Sequence, residues 1–196
     1  MHARRSICWL AMLAALCSLV LTSCGGGSGS SGFDALSENA AIDKALQDGE
    51  CVTHAALTVC PADVHAPKGA AGTIQTGLDQ SDTVRCAAIA GDGCDATLPF
   101  VPQGFPETAV FRVAVRTVDP LGKWRIGGLT VSNSAPTRPD FNVPLALPQA
   151  PLSEHVQIAV LVFLHAPADG SSEVDNLADS GADFAYVTPE VTVQPE

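Results

Sequence analysis

The chain has 196 residues, of which 21 are acidic and 10 basic, giving a formal net charge of −11. Nucleic acids and anionic lipid surfaces are bound through basic patches, so this balance argues against either as a partner recognised that way. No Gly-x-Ser-x-Gly elbow, His-Glu-x-x-His pair, Cys-x-x-Cys motif or phosphate loop occurs, and no cofactor is implied.

The chain opens as an export signal. Arg4 and Arg5 precede an uncharged apolar run, residues 7–22. That run falls short of the roughly 20 residues a membrane-spanning helix needs. Small residues follow it, which suits a cleavable leader. Leu21-Thr22-Ser23-Cys24 resembles the lipobox of bacterial lipoproteins. The resemblance implies that residues 1–23 are removed and that Cys24 is acylated on its sulfur and on its new amine. It also implies attachment to a membrane, since two or more acyl chains hold a protein stably to a bilayer. Gly25, where retained inner-membrane lipoproteins often carry aspartate, implies delivery to the outer membrane in a host that has one.

Residues 24–32, with only glycine and serine after Cys24, read as a tether with a root-mean-square reach of about 16 Å. Gly27, Gly29 and Gly32 have the spacing of a dinucleotide fingerprint. Such a fingerprint must follow a strand and open a helix, and here the apolar leader precedes it. Residues 33–49 predict a short helix, capped by Asp34, with Leu36, Ala40 and residues 42–46 on its apolar side and Gly49 as its stop.

Four cysteines remain once Cys8 and Cys17 leave with the leader and Cys24 carries lipid: Cys51, Cys60, Cys86 and Cys94. In an exported chain they suggest two disulfides. Of three possible pairings, Cys51–Cys60 and Cys86–Cys94 close short segments with turn character. Zinc is the rival, but the cysteines lack the close paired spacing that structural zinc shows.

The stretch "ECVTHAALTVC" predicts a disulfide-closed hairpin, and residues 61–72 a connection rich in proline, alanine and glycine. From Thr73 the chain turns to strands, with "TIQTGL" and "TVRCAAIAG" first and Gly91-Asp92-Gly93 as a turn. In residues 109–131, Phe111, Val113 and Val115 alternate with Arg112, Ala114 and Arg116, the period of a strand with one buried face. Asp119-Pro120-Leu121-Gly122 fits a type I turn, and Trp124, Ile126 and residues 129–131 a return strand. Trp124 reads as a core residue. This hairpin resembles the late strands of fibronectin type III or immunoglobulin-like domains. Residues 141–147 give another strand. "VQIAVLVFL" is nearly all apolar and predicts a central strand covered on both faces. "DFAYV" and "EVTV" finish the chain.

The expected fold is mainly β: a disulfide-stapled β-sandwich of immunoglobulin or fibronectin type over residues 72–196, preceded by the helix and hairpin of residues 33–71. His155 and His165 bracket the apolar strand, about 33 Å apart if it is continuous, too far to share one metal. They, His54 and His65 read as surface residues. Asp169, Glu173, Asp175, Asp179 and Asp183 lie in one stretch with no basic residue between them. This reads as a solvated acidic loop, with calcium as the alternative. The expected function is that of a lipid-anchored, non-enzymatic envelope protein binding another envelope protein or an extracellular ligand. The alternatives are an exported enzyme with a site assembled from loops and a calcium-stiffened adhesin-like module.

Overall fold

The computed structural model describes residues 31–79, 82–89, 93–127, 131–132, 141–148, 154–165 and 172–195. Cys24, the leader and most of the tether lie outside them, as do Asp169 and the Gly91-Asp92 turn. The elements are α1 (Ser31–Asp48), then β1 (Val52–His54), β2 (Leu57–Pro61), β3 (Thr73–Gln75), β4 (Thr83–Ile89), β5 (Gly93–Gln103), β6 (Val110–Thr117), β7 (Trp124–Ile126) and β8 (Val131–Ser132). β9 (Phe141–Pro148), β10 (Glu154–Phe163), β11 (Glu173–Val174), a 3-10 helix (Leu177–Ser180), β12 (Phe184–Val187) and β13 (Val191–Pro195) follow. The described residues are mainly β, a curled sheet with one α-helix.

β10 organises the sheet. One edge pairs antiparallel with β6 from Val156↔Thr117 to Phe163↔Val110. The other edge is shared by β12, from Ala159↔Val187, and β13, from Glu154↔Val193. Beyond β12 lies β2, parallel to it, and then β1. β13 runs parallel to β4, which hands on to β5, and β5 carries β9 and β3. The sheet thereby curls over its own face. Beyond β6, β7 and β11 extend the other side.

Both faces of β10 are packed. Val156, Ile158, Val160 and Val162 point into a core shared with Phe100, Phe105, Phe111 and Tyr186. Ala159, Leu161 and Phe163 point into a second core under α1, with Ile42, Leu57 and Trp124. A strand buried on both sides is what a continuous apolar run specifies. In the first core the rings of Phe105 and Phe111 meet edge-to-face at 5.5 Å, as do those of Phe105 and Tyr186 at 5.6 Å, a favoured aromatic geometry.

Several expectations shift in detail. α1 begins at Ser31, so Asp34 lies within its first turn and not at the cap. Its buried stripe is Glu38, Ala41, Ile42 and Ala45, while Ala40 is exposed. Gly49, at φ +68°, donates its amide to the Ala45 carbonyl and ends the helix. The turn after β6 is wider than a type I turn: Gly122 N–H reaches the Thr117 carbonyl, and the Asp119–Pro120 bond is cis. β5 is an eleven-residue strand where the sequence suggested only a turn at its start. Its prolines, Pro99 and Pro102, broke the pattern that would have marked it.

Two points fix the route after β2. The Asp63 carboxylate accepts hydrogen bonds from Thr76 N–H at 2.6 Å and Gly77 N–H at 2.8 Å, pinning the end of β3. Gly72 has no room for a side chain, because a Cβ there would stand 2.5 Å from the Gln103 carbonyl oxygen.

Cys51 and Cys60 form a disulfide across the β1–β2 hairpin. Cys86 is also disulfide-bonded; the side chain of Cys94, its expected partner, is outside the described residues. Closing the nine-residue separation of Cys51 and Cys60 removes loop entropy from the unfolded chain worth about 2.5 kcal/mol. The double variant Cys51→Ala/Cys60→Ala should therefore melt about 5–10 °C below the parent in a calorimeter. An unchanged midpoint would mean that the staple stabilises nothing.

Candidate functional site

Three of the buried polar groups among the described residues, Glu38, Arg116 and Gln157, are linked through Trp124 under α1. Glu38 is 1% exposed. It reaches the interior because positions 38, 41, 42 and 45 share one face of a 3.6-residue helix. One carboxylate oxygen accepts Trp124 Nε1–H at 3.0 Å, and the other accepts Leu177 N–H at 2.5 Å. The second contact places the carboxylate at the start of the 3-10 helix. Trp124 is fully buried, so the core role read from the sequence holds. Above its indole lies the Arg116 guanidinium, 4.4 Å from the ring centroid, within cation–π range. Arg116 donates from Nε and Nη2 to Gln157 Oε1, at 3.2 and 2.7 Å. Register explains this pair, since Gln157 stands opposite Arg116 across β6 and β10.

Burial sets the electrostatics. It raises the Glu38 pKa above its ordinary 4.5, with the Trp124 and Leu177 hydrogen bonds and the Arg116 charge opposing it. Burial likewise lowers the Arg116 pKa, with Glu38, Asp43 and Glu190 opposing. A carboxyl whose folded pKa lies above its unfolded one keeps a proton in the folded state at pH values where the unfolded chain has released it. This group's contribution to stability is thus fully present below about pH 4.5 and falls as pH rises through the folded pKa. Glu38→Gln should remove that slope. Chemical denaturation of both proteins between pH 4 and 8 checks it, and parallel curves would refute it.

The sequence did not mark Glu38, Arg116 or Gln157 as a group. The available signal was a charged or polar residue in an otherwise apolar run: Glu38 on the stripe of α1, Arg116 in β6, Gln157 in β10. The side of β6 carrying Arg112 and Arg116 read as solvent-facing. In the structure it is covered, with Ala114 fully buried and Arg112 donating to the Gly127 carbonyl.

The four histidines singled out from the sequence lie at separate places in the fold, and Asp169 of the acidic stretch is outside the described residues. His155 is exposed near the start of β10 and His165 is exposed two residues past its end; His65 is exposed on the β2–β3 connection and His54 half-buried in β1. Of the acidic stretch, Glu173 and Asp175 face Lys123 at 3.9 and 3.2 Å, and Glu173 also faces Arg125. Asp179 receives a hydrogen bond from Asn176, and Asp183 accepts one from Leu164 N–H at 2.7 Å. The cations come from β7 (Arg125) and the residue just before it (Lys123), and β7 pairs with β11, which is why the stretch looked uncompensated in sequence. Among the described residues no group of three or more His, Cys, Asp or Glu side chains is placed to hold a metal ion. No described helix is long and apolar enough to cross a membrane.

A surface hollow of about 370 Å³ opens beside the β2–β3 connection, lined by small groups such as Ala66, Ala70, Gly72 and Gly104. Tyr186 donates its hydroxyl to the carbonyl of Gly72, one of these lining residues, at 2.7 Å. Burial pushes the Tyr186 phenol up to about 12, so it acts as a neutral donor. No family model matches the chain, and no curated protein or solved structure is similar to it.

Proposed function

We propose that this chain is a lipid-anchored cell-envelope protein whose folded part is a non-enzymatic binding or structural module. The anchor rests on Leu21-Thr22-Ser23-Cys24, whose order of charge, apolar run, small residues and cysteine is that of lipoprotein signals. In this reading the partners are a membrane, through Cys24, and a further envelope protein or extracellular ligand. The localisation is the outer membrane in a host with two membranes. The curled sheet is read as a stapled sandwich of the immunoglobulin or fibronectin kind.

The observation that carries the module half is the use made of the buried charges. Glu38 joins α1 to Trp124 and to the Leu177 amide, and Arg116 and Gln157 join β6 to β10. Groups whose hydrogen bonds are taken up by the fold in this way serve packing. The tether read over residues 24–32 overlaps the first two residues of α1, which starts at Ser31, so the glycine-serine segment between Cys24 and the helix is shorter than read.

Mass spectrometry of the protein purified from a bacterial host that processes lipoproteins tests the anchor. The expected product starts at Cys24 and carries lipid mass; an intact Met1 or an unmodified Cys24 would overturn it. A hydrolytic activity abolished by a single substitution would overturn the module half.

A further inference from the structure

We propose that α1 is a releasable strap: it lifts off the sheet as a unit, without unfolding the β-structure, and its release ends at Cys51. Four observations lead there. The helix is the first described element and packs against β1 and β2 at one side of the sheet. From residue 38 onward it buries fully one large apolar side chain, Ile42, and two alanines, Ala41 and Ala45, with Leu46 partly buried. β10, by contrast, buries Val156, Ile158, Val160, Leu161, Val162 and Phe163 and is paired along both edges. Segments held by few apolar contacts open at lower free energy than central strands.

The second observation is the fastening. Glu38 bridges α1 to Trp124 on β7 and to Leu177 at the 3-10 helix, so a single side chain joins the helix to two distant elements. Third, the left-handed Gly49 supplies a joint at the end of the helix. Fourth, everything after that joint is held. Cys51 is bonded to Cys60, and its amide donates to the Lys68 carbonyl. β2 is flanked by β1 and β12. An opening that starts at Ser31 therefore stops at Cys51. In a protein tethered at its N-terminus, releasing the 18 residues of α1 would lengthen the leash by about 35 Å, the difference between helical and extended chain. That use rests on the lipid-anchor reading; the strap itself does not.

Hydrogen exchange followed by peptide mass spectrometry on the purified full chain tests it. Amides in residues 40–48 should exchange at least roughly tenfold faster than those of β10, with the boundary between Gly49 and Val52. Phe111→Leu, in the core remote from α1, should speed β10 and leave α1 unchanged; Val113→Ala serves if the first variant folds poorly. Glu38→Gln, which loses an acceptor for one of two donors, should speed α1 by roughly tenfold. Equal protection of α1 and β10 would overturn the proposal, as would acceleration of α1 by Phe111→Leu. An α1 unaffected by Glu38→Gln would overturn the role of the carboxylate. The lipid mass on Cys24 is a separate measurement, so failure of the anchor and failure of the strap are told apart.

Discussion

Trp124→Ala is expected to lower the melting midpoint by about 10–15 °C. The indole is fully buried in the core under α1, and truncating a large buried aromatic costs about 3–5 kcal/mol in transfer energy and cavity. For a folded body of this size each kcal/mol moves the midpoint by about 2–4 °C. Two further losses act in the same direction. Arg116, 4.4 Å above the ring, loses its cation–π partner, and Glu38 loses the Nε1–H donor. Trp124→Phe keeps much of the volume and gives up the donor, so it should fall between the parent and the alanine variant. A midpoint within about 3 °C of the parent for Trp124→Ala would contradict a packed indole at this position.

Glu38→Ala is expected to cost about 3 kcal/mol, or about 6–12 °C in midpoint. The reasoning runs through the partners left behind. Trp124 Nε1–H and Leu177 N–H stay buried with nothing to accept them, and each stranded donor costs about 1–3 kcal/mol. Relief from holding a carboxylate out of water offsets part of this, consistent with the upward direction of its pKa. Trp124 and Glu38 share one hydrogen bond, so their effects should not add. In a double-mutant cycle the pair should lose less than the separate losses combined. Simple additivity would mean that the indole–carboxylate bond seen at 3.0 Å contributes nothing.

Some of this molecule was legible residue by residue. The run from Val156 to Phe163 required cover on both faces, and β10 has it. Gly49 marked the end of α1, and the short spacing of Cys51 and Cys60 marked a staple that the structure forms. Each of these depends on near neighbours in the chain, where periodicity, turn chemistry and loop length act directly. The reading failed where the deciding partner is remote. Prolines hid β5, which is held by β4, β9 and β3 and not by its own pattern. The acidic stretch looked uncompensated because Arg125 lies in β7 and Lys123 just before it, about 50 positions earlier in the chain.

The sequence by itself determined that the body is mainly β, that its central strand is buried on both sides and that a disulfide closes the first hairpin. Only the tertiary structure decided that Glu38 is an interior group, 86 positions from the indole and 139 from the amide that it joins. A carboxylate on a helix is favourable in water and costly in a core unless donors meet it there. Which of these holds depends on where β7 and the 3-10 helix come to rest, and no pattern local to residue 38 contains that position.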